Sequence, residues 1–187
     1  MRTLLVGLFL LAHPFWETKP PEQWSDAEID MLRHASPWVQ TAGRDAAVLV
    51  WLATATPIEE AEGEARLRVK RPEKEPDPDY IGYITEHRDG NFVLAIAYPP
   101  RFTLGSAAEQ QRMEEESVML VGRKSYHILG HFPPTEADPV LRLVFPRTVK
   151  LTDKSVVFQL YLAGLNFPER QVEFRVKDLL YRGKLAM

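Results

Sequence analysis

Residues 171–177 read QVEFRVK, an alternation of apolar and charged residues from which the fold can be worked out. Successive side chains of a β-strand point to opposite faces, so Val172, Phe174 and Val176 share one face and the charged residues share the other. An antiparallel sheet commonly has one face on the core and one face in water. This stretch therefore predicts a sheet with one buried and one wet face.

Four more runs have strand character. VLRLVFP and SVVFQLYLAG precede residues 171–177 at short intervals, NFVLAIAYP begins at Asn91, and AAVLVWLATA lacks the long polar face of a half-exposed strand. Short connections favour antiparallel pairing. We predict an α+β fold with a mixed, mainly antiparallel sheet of about five strands covered by helices. The strands are predicted at residues 46–55, 91–98, 140–146, 155–163 and 171–177.

The stretch WSDAEIDMLRHASPW, residues 24–38, predicts a helix over residues 26–35. Ser25 and Glu28 have the spacing of a capping box, and Trp24 and Ile29 have the spacing of a hydrophobic staple. A helix of this length is marginal alone in water, so it must dock on the rest of the protein. We expect Trp24 and Trp38 to be its buried anchors; an exposed aromatic platform for a ligand is the alternative.

Two further helices are predicted near residues 57–69 and 106–121. Thr56, Pro57 and Glu59 form a helix start, and Ser106 with its following glutamate repeats the capping-box spacing. Gly122 then has the position of a C-cap.

Residues 80–90, YIGYITEHRDG, are compatible with two structures. Asp89 and Gly90 suit the tight turn of a hairpin, whereas Asp77 and Pro78 suit a helix start and Gly90 a helix end. The helix is favoured. The proline-rich segment before it, residues 71–79, is predicted to be a surface connection.

The composition excludes several classes of function. The formal net charge of −3, with acidic and basic residues mixed, provides no broad positive field for nucleic acid. The absence of cysteine excludes disulfides, thiolate nucleophiles, thiolate metal sites and an acylated lipoprotein anchor. A length of 187 residues suits one domain, and an apolar fraction of 45% is sufficient for a packed core.

The first twelve residues, MRTLLVGLFLLA, place Arg2 before an apolar run that is too short to span a bilayer. This is typical of a secretory signal peptide, with Ala12 a candidate cleavage residue and Leu10 larger than the preferred small residue. We predict a signal peptide at 1–12, a single α+β domain at 13–187 and a periplasmic or secreted location. A buried N-terminal strand is the alternative.

Spacing argues against metal centres. His127 and His131 are four residues apart, but Ile128 occupies the position of the glutamate base that a helical zinc protease site needs. The run from Asp77 begins like a calcium loop, but Arg88 stands where the bidentate carboxylate is required. We predict no metal, no cofactor and no catalytic residue, and leave open whether the protein is an enzyme.

Four polar residues near strand ends are candidates for a polar groove: Arg147, Asp178, Tyr181 and Lys184. The simpler interpretation, which we favour, is that they are ordinary residues of sheet edges and loops.

The segments PEQWSDAEIDMLRHASPW (21–38), VFPR (144–147) and KDLLYRGKL (177–185) resemble a group of uncharacterised exported bacterial proteins. That group shares a tryptophan-led helix ending in Ser-Pro-Trp and a C-terminal tyrosine, glycine, lysine, leucine ending. The resemblance implies export and a common fold, and it implies no reaction.

These features predict an exported protein that is a non-catalytic binding or envelope-associated domain. Its partner is an unknown protein or small ligand, with no nucleic acid and no membrane span in the mature chain. The alternative is a hydrolase whose site is assembled from scattered carboxylates, histidines and Arg147. A concavity that gathers such groups favours the hydrolase.

Overall fold

The computed structural model describes residues 14–44, 47–68, 77–99 and 104–187. The predicted signal peptide, residues 1–12, and residues 71–76 of the predicted connection lie outside the described residues. The helices are α1 (Phe15–Thr18), α2 (Asp26–Ala35), α3 (Thr56–Arg68), α4 (Pro78–His87) and α5 (Ala107–Glu116). The strands are β1 (Val39–Ala42), β2 (Val48–Leu52), β3 (Asn91–Ala97), β4 (Val118–Val121), β5 (Lys124–His127), β6 (Gly130–Phe132), β7 (Val140–Pro146), β8 (Ser155–Tyr161), β9 (Glu169–Arg175), β10 (Leu180–Tyr181) and β11 (Lys184–Leu185).

The strands form two main sheets and a short hairpin. The first sheet has the order β1-β2-β3-β7-β6, the second has the order β5-β4-β8-β9, and β10 pairs with β11. The pairings between described strands are antiparallel. The predicted α+β fold with a mainly antiparallel sheet is therefore confirmed. The five predicted strands are divided: the first three lie in the first sheet and the last two in the second.

The core lies between the two sheets and includes a chain of phenylalanine rings. Phe92 and Phe145 of the first sheet are stacked with centroids 6.0 Å apart. Phe145 reaches Phe158 of the second sheet at 5.2 Å, and Phe158 contacts Phe174 at 6.0 Å. All four side chains are fully buried. The alternation in residues 171–177 is thereby explained, because its apolar residues face this core and its charged residues face water.

Helix α2 covers the predicted residues and begins with the predicted capping box. The Ser25 hydroxyl accepts a hydrogen bond from the Glu28 amide at 3.2 Å, and the Glu28 carboxylate accepts one from the Ser25 amide at 2.8 Å. Trp24 and Trp38 are 2% and 0% exposed, as the anchor interpretation requires. The Trp38 indole Nε1 donates to the main-chain oxygen of Ala186 at 2.9 Å, which ties the end of this helix to the C-terminal segment.

Helix α4 is present at residues 78–87, so the helical interpretation of residues 80–90 is confirmed. The Asp77 side chain caps it by accepting from the Asp79 amide at 2.9 Å. Tyr80 and Ile84 then pack on Val93 and Val144, which lie on the face of the first sheet that points away from the main core.

The prediction of a helix through residue 121 is wrong. Helix α5 begins at the predicted Ser106 capping box but ends at Glu116, and residues 118–121 form β4. The apolar run VMLV pairs with β8 on one side and β5 on the other, and tertiary pairing of this kind overrides a helical pattern. Gly122, at φ +59°, belongs to the tight turn between β4 and β5 and is not a helix cap.

Within the described residues, each helix is too short or too polar to cross a membrane.

Candidate functional site

Part of the first sheet's outer face is the floor of a cleft of about 450 Å³, here called the outer cleft. Side chains alternate along β2, so Leu49 and Trp51 point away from the core while Val50 and Leu52 point into it. Ala97 and Val140 are register partners on β3 and β7 and join Leu49 and Trp51 in the floor. The floor is therefore apolar and is built on paired strands of the first sheet.

Helix α4 forms an apolar wall of the outer cleft through Tyr80, Ile81 and Ile84. Ile81 is 46% exposed, although Tyr80 and Ile84 of the same helix are buried. An isoleucine in this position gives a ligand an apolar surface without rearrangement of the helix.

Helices α2 and α3 form a charged wall. Its basic residues are Arg33, His34 and Arg66, and its acidic residues are Glu59 and Glu62. The two helices pack on each other, and an ion pair between Arg33 Nε and Glu62 Oε1 at 2.8 Å joins them.

Each carboxylate that lines the outer cleft is paired with an arginine. The pairs are Glu59 with Arg88, Glu62 with Arg33 and Asp138 with Arg142. Burial raises the pKa of Glu59, and the hydrogen bond from Arg88 opposes that rise. These carboxylates are thus engaged in structural pairs before any ligand arrives.

Arg142 is a buried arginine beside the floor. Its side chain pairs with Asp138 at 2.7 Å, and its guanidinium carbon lies 4.5 Å from the centre of the Tyr80 ring. Burial raises the pKa of the Tyr80 phenol, so this group stays neutral at physiological pH. Arg142 therefore joins the strand floor to helix α4.

Arg66 differs from the other cations of the outer cleft. Its Nε donates to the main-chain oxygen of Glu62 at 3.2 Å, and none of the described carboxylates lies within ion-pair distance of it. His34, by contrast, is held by Asp30 of the same helix at 3.0 Å.

Comparisons of this chain with protein-family models, with curated proteins and with solved structures gave no match. The residues and their geometry are therefore what indicates function.

A second cleft, of about 630 Å³, lies where the edge strands β1 and β9 approach each other. Trp16, Gln40, Lys177 and Asp178 are among its lining residues. Its polar groups come from β9, from the single turn of 3-10 helix that follows it, and from α1 and β1. Asp178, one of the four predicted groove residues, pairs there with Arg175 at 2.6 Å.

The other predicted groove residues do not line that cleft. Arg147 is half-buried, and its guanidinium donates to the main-chain oxygens of Arg88, Asn91 and Met187. Burial lowers the pKa of Arg147. Arg147 therefore joins the end of β7 to the turn between α4 and β3 and to the C-terminal segment.

Tyr181 is 5% exposed and donates its hydroxyl hydrogen bond to Glu60 of α3. Its ring meets Trp38 edge to face at 6.3 Å. Lys184 is exposed on the short hairpin. The structure brings Asp178 to a cleft and gives Arg147 and Tyr181 structural contacts.

The two histidines considered as metal ligands lie on strands of different sheets. His127 ends β5 in the second sheet, and His131 lies in β6 of the first sheet with its Nδ1 3.3 Å from Glu114. Over the described ranges, no cluster of three or more His, Asp or Glu side chains has the arrangement of a metal site.

Two residues of the outer cleft, Trp51 and Arg142, are not among the site residues predicted from sequence. Each had a signal: Trp51 is a large aromatic residue in a strand predicted to be buried, and Arg142 is the charged residue within the apolar run VLRLVFP. A buried arginine needs compensating partners, so its presence in a core strand indicates a polar site.

Proposed function

We propose that the protein is an exported, non-catalytic binding domain that holds a small, largely apolar molecule in the outer cleft. The observation that carries this proposal is an apolar floor flanked by a few fixed polar groups. Ligand sites are typically clefts of roughly 300–1,000 Å³ with this composition, and the outer cleft falls in that range at about 450 Å³. Its floor is formed by paired strands of the first sheet, so the apolar surface is present before a ligand binds.

The pairing of the cleft carboxylates supports binding over catalysis. A general base must lie within hydrogen-bond reach of the substrate proton that it accepts, and a carboxylate oxygen paired with an arginine is turned toward that arginine. Glu59, Glu62 and Asp138 are all held in this way.

The hydrolase alternative requires carboxylates, histidines and Arg147 in one concavity. The outer cleft gathers His34 and three carboxylates, but Arg147, His127 and His131 do not line it. The three carboxylates are paired with arginines, and His34 is paired with Asp30.

Export rests on the sequence of residues 1–12 and on the resemblance to exported bacterial proteins.

Fluorescence titration with N-phenyl-1-naphthylamine tests the binding proposal. This neutral naphthalene emits strongly in apolar surroundings and weakly in water. The wild-type protein should bind it, and Ala97→Phe, which places a ring on the cleft floor, should weaken binding at least about tenfold because the site is filled.

Ala108→Phe is the matched control, since Ala108 is exposed on α5, which packs on the second sheet. It should bind the probe as the wild type does. Absence of binding by the wild type, or equal binding by a folded Ala97→Phe variant, would refute the outer cleft as a ligand site.

A further inference from the structure

The charged wall of the outer cleft has an uneven distribution of charge. Arg33 is engaged with Glu62, Glu59 with Arg88, and Arg142 with Asp138, so these pairs are locally neutral. Arg66 remains as a positive charge at the rim without a described carboxylate partner. A ligand that enters the cleft therefore meets an apolar floor and, among the described residues that line it, the unpaired cation of Arg66.

We propose that the ligand of the outer cleft is an amphipathic anion, whose carboxylate, sulfonate or similar group binds Arg66 while its apolar body lies on Trp51 and Leu49. This inference rests on the proposed function, because it specifies what occupies the same cleft.

The geometry of Arg66 suits this role. Its Nε is used in holding the main-chain oxygen of Glu62, which fixes the direction of the side chain along helix α3. The two terminal nitrogens, Nη1 and Nη2, make no hydrogen bond with a described residue. A guanidinium with these nitrogens available binds a planar anion through two parallel hydrogen bonds.

The other basic residues of the cleft are less suitable anchors. His34 is held by Asp30, and Arg142 is 7% exposed and held by Asp138. The main-chain contact that orients Arg66 leaves its charge uncompensated, whereas the Asp138 carboxylate compensates the charge of Arg142. The anionic group of a ligand should therefore bind beside Arg66.

Two probes that differ in one group test the inference. N-phenyl-1-naphthylamine is neutral, and 8-anilino-1-naphthalenesulfonate is the same apolar body with a sulfonate added. The wild-type protein should bind the sulfonate more tightly than the neutral probe at about 0.01 M salt, and this preference should disappear at about 1 M salt, where the Debye length is only about 3 Å.

Arg66→Gln should weaken sulfonate binding about three- to fivefold, the range of an exposed ion pair, and leave the neutral probe unchanged. Arg123→Gln is the control, since Arg123 is an exposed arginine in the turn between β4 and β5. Competition by decanoate or by 2-naphthoate then shows whether the apolar body is linear or aromatic.

The two proposals fail in different ways. If the neutral probe binds and Ala97→Phe blocks it, while the sulfonate has no salt-dependent or Arg66-dependent advantage, the anion inference is refuted and the binding function stands. If neither probe binds the wild-type protein, the proposed function fails and the anion inference fails with it.

Discussion

Replacing Trp38 with alanine should destabilise the protein more than any single change at a helix cap. The indole is fully buried and meets the rings of Trp16 and Tyr181 edge to face, at 5.8 and 6.3 Å. Its Nε1 also supplies the hydrogen bond to the Ala186 main-chain oxygen. Truncation removes the packing and leaves that carbonyl without its donor.

The size of the effect follows from these two losses. Removing a buried tryptophan side chain costs about 3–5 kcal/mol, and a buried acceptor left without a partner adds about 1–3 kcal/mol. The total is a large fraction of a typical free energy of unfolding of about 5–15 kcal/mol. Trp38→Phe keeps most of the apolar volume and loses the donor, so it should cost less than the alanine variant.

Urea unfolding followed by far-ultraviolet circular dichroism measures these differences without depending on tryptophan emission. Ser25→Ala is the reference, because it removes one capping hydrogen bond and should cost about 1 kcal/mol. If Trp38→Ala costs no more than Ser25→Ala, the helix is held by other contacts and Trp38 is not its anchor.

Three further changes have defined outcomes. Burial raises the pKa of Glu59 above its ordinary 4.5. The contribution of Glu59 to the free energy of unfolding is therefore greatest below pH 4.5 and is lost as the pH rises through the raised pKa. Glu59→Gln should flatten the plot of the free energy of unfolding against pH. Tyr181→Phe should lower the free energy of unfolding in urea by about 0.5–1.5 kcal/mol, through the lost hydrogen bond to Glu60. Protein recovered from the native host should lack residues 1–12 by intact mass, and soluble material that retains Met1 would contradict export.

Short sequence patterns predicted the helix starts, because the hydrogen bonds that stabilise a helix start lie within a few residues. The capping boxes at Ser25 and Ser106 satisfy helix-terminal amides within three residues, so both helix starts could be predicted from sequence. The extent of α5 could not be predicted in the same way. Val118–Val121 is a strand because β8, more than thirty residues later, pairs with it.

The division into two sheets was also beyond sequence analysis. Strands at 140–146 and 155–161 are neighbours in the chain, yet they lie in different sheets because Phe145 and Phe158 face each other across the core. An apolar alternation shows which side of a strand is buried, and it does not show which sheet covers that side.

The candidate site combines residues that are distant in sequence. Trp51 and Arg142 lie 91 positions apart, and both face the outer cleft because each is a register partner of Ala95 on β3. Tyr181 is 121 positions from Glu60, so the hydrogen bond between them could not be predicted from the spacing of residues in the sequence. The polarity of Tyr181 makes it a candidate groove residue, because the sequence does not show which group its hydroxyl contacts.

If ligands bind over Trp51, a two-dimensional ¹H–¹⁵N spectrum of the indole groups should detect that binding at the Trp51 side chain. The protein has four tryptophans, and Trp51→Phe assigns the Trp51 signal by its disappearance. During titration with N-phenyl-1-naphthylamine the Trp51 indole signal should shift while those of buried Trp24 and Trp38 stay fixed. A Trp51 signal that does not move while that of Trp16, which lines the second cleft, shifts with the probe would contradict the account and place binding between β1 and β9.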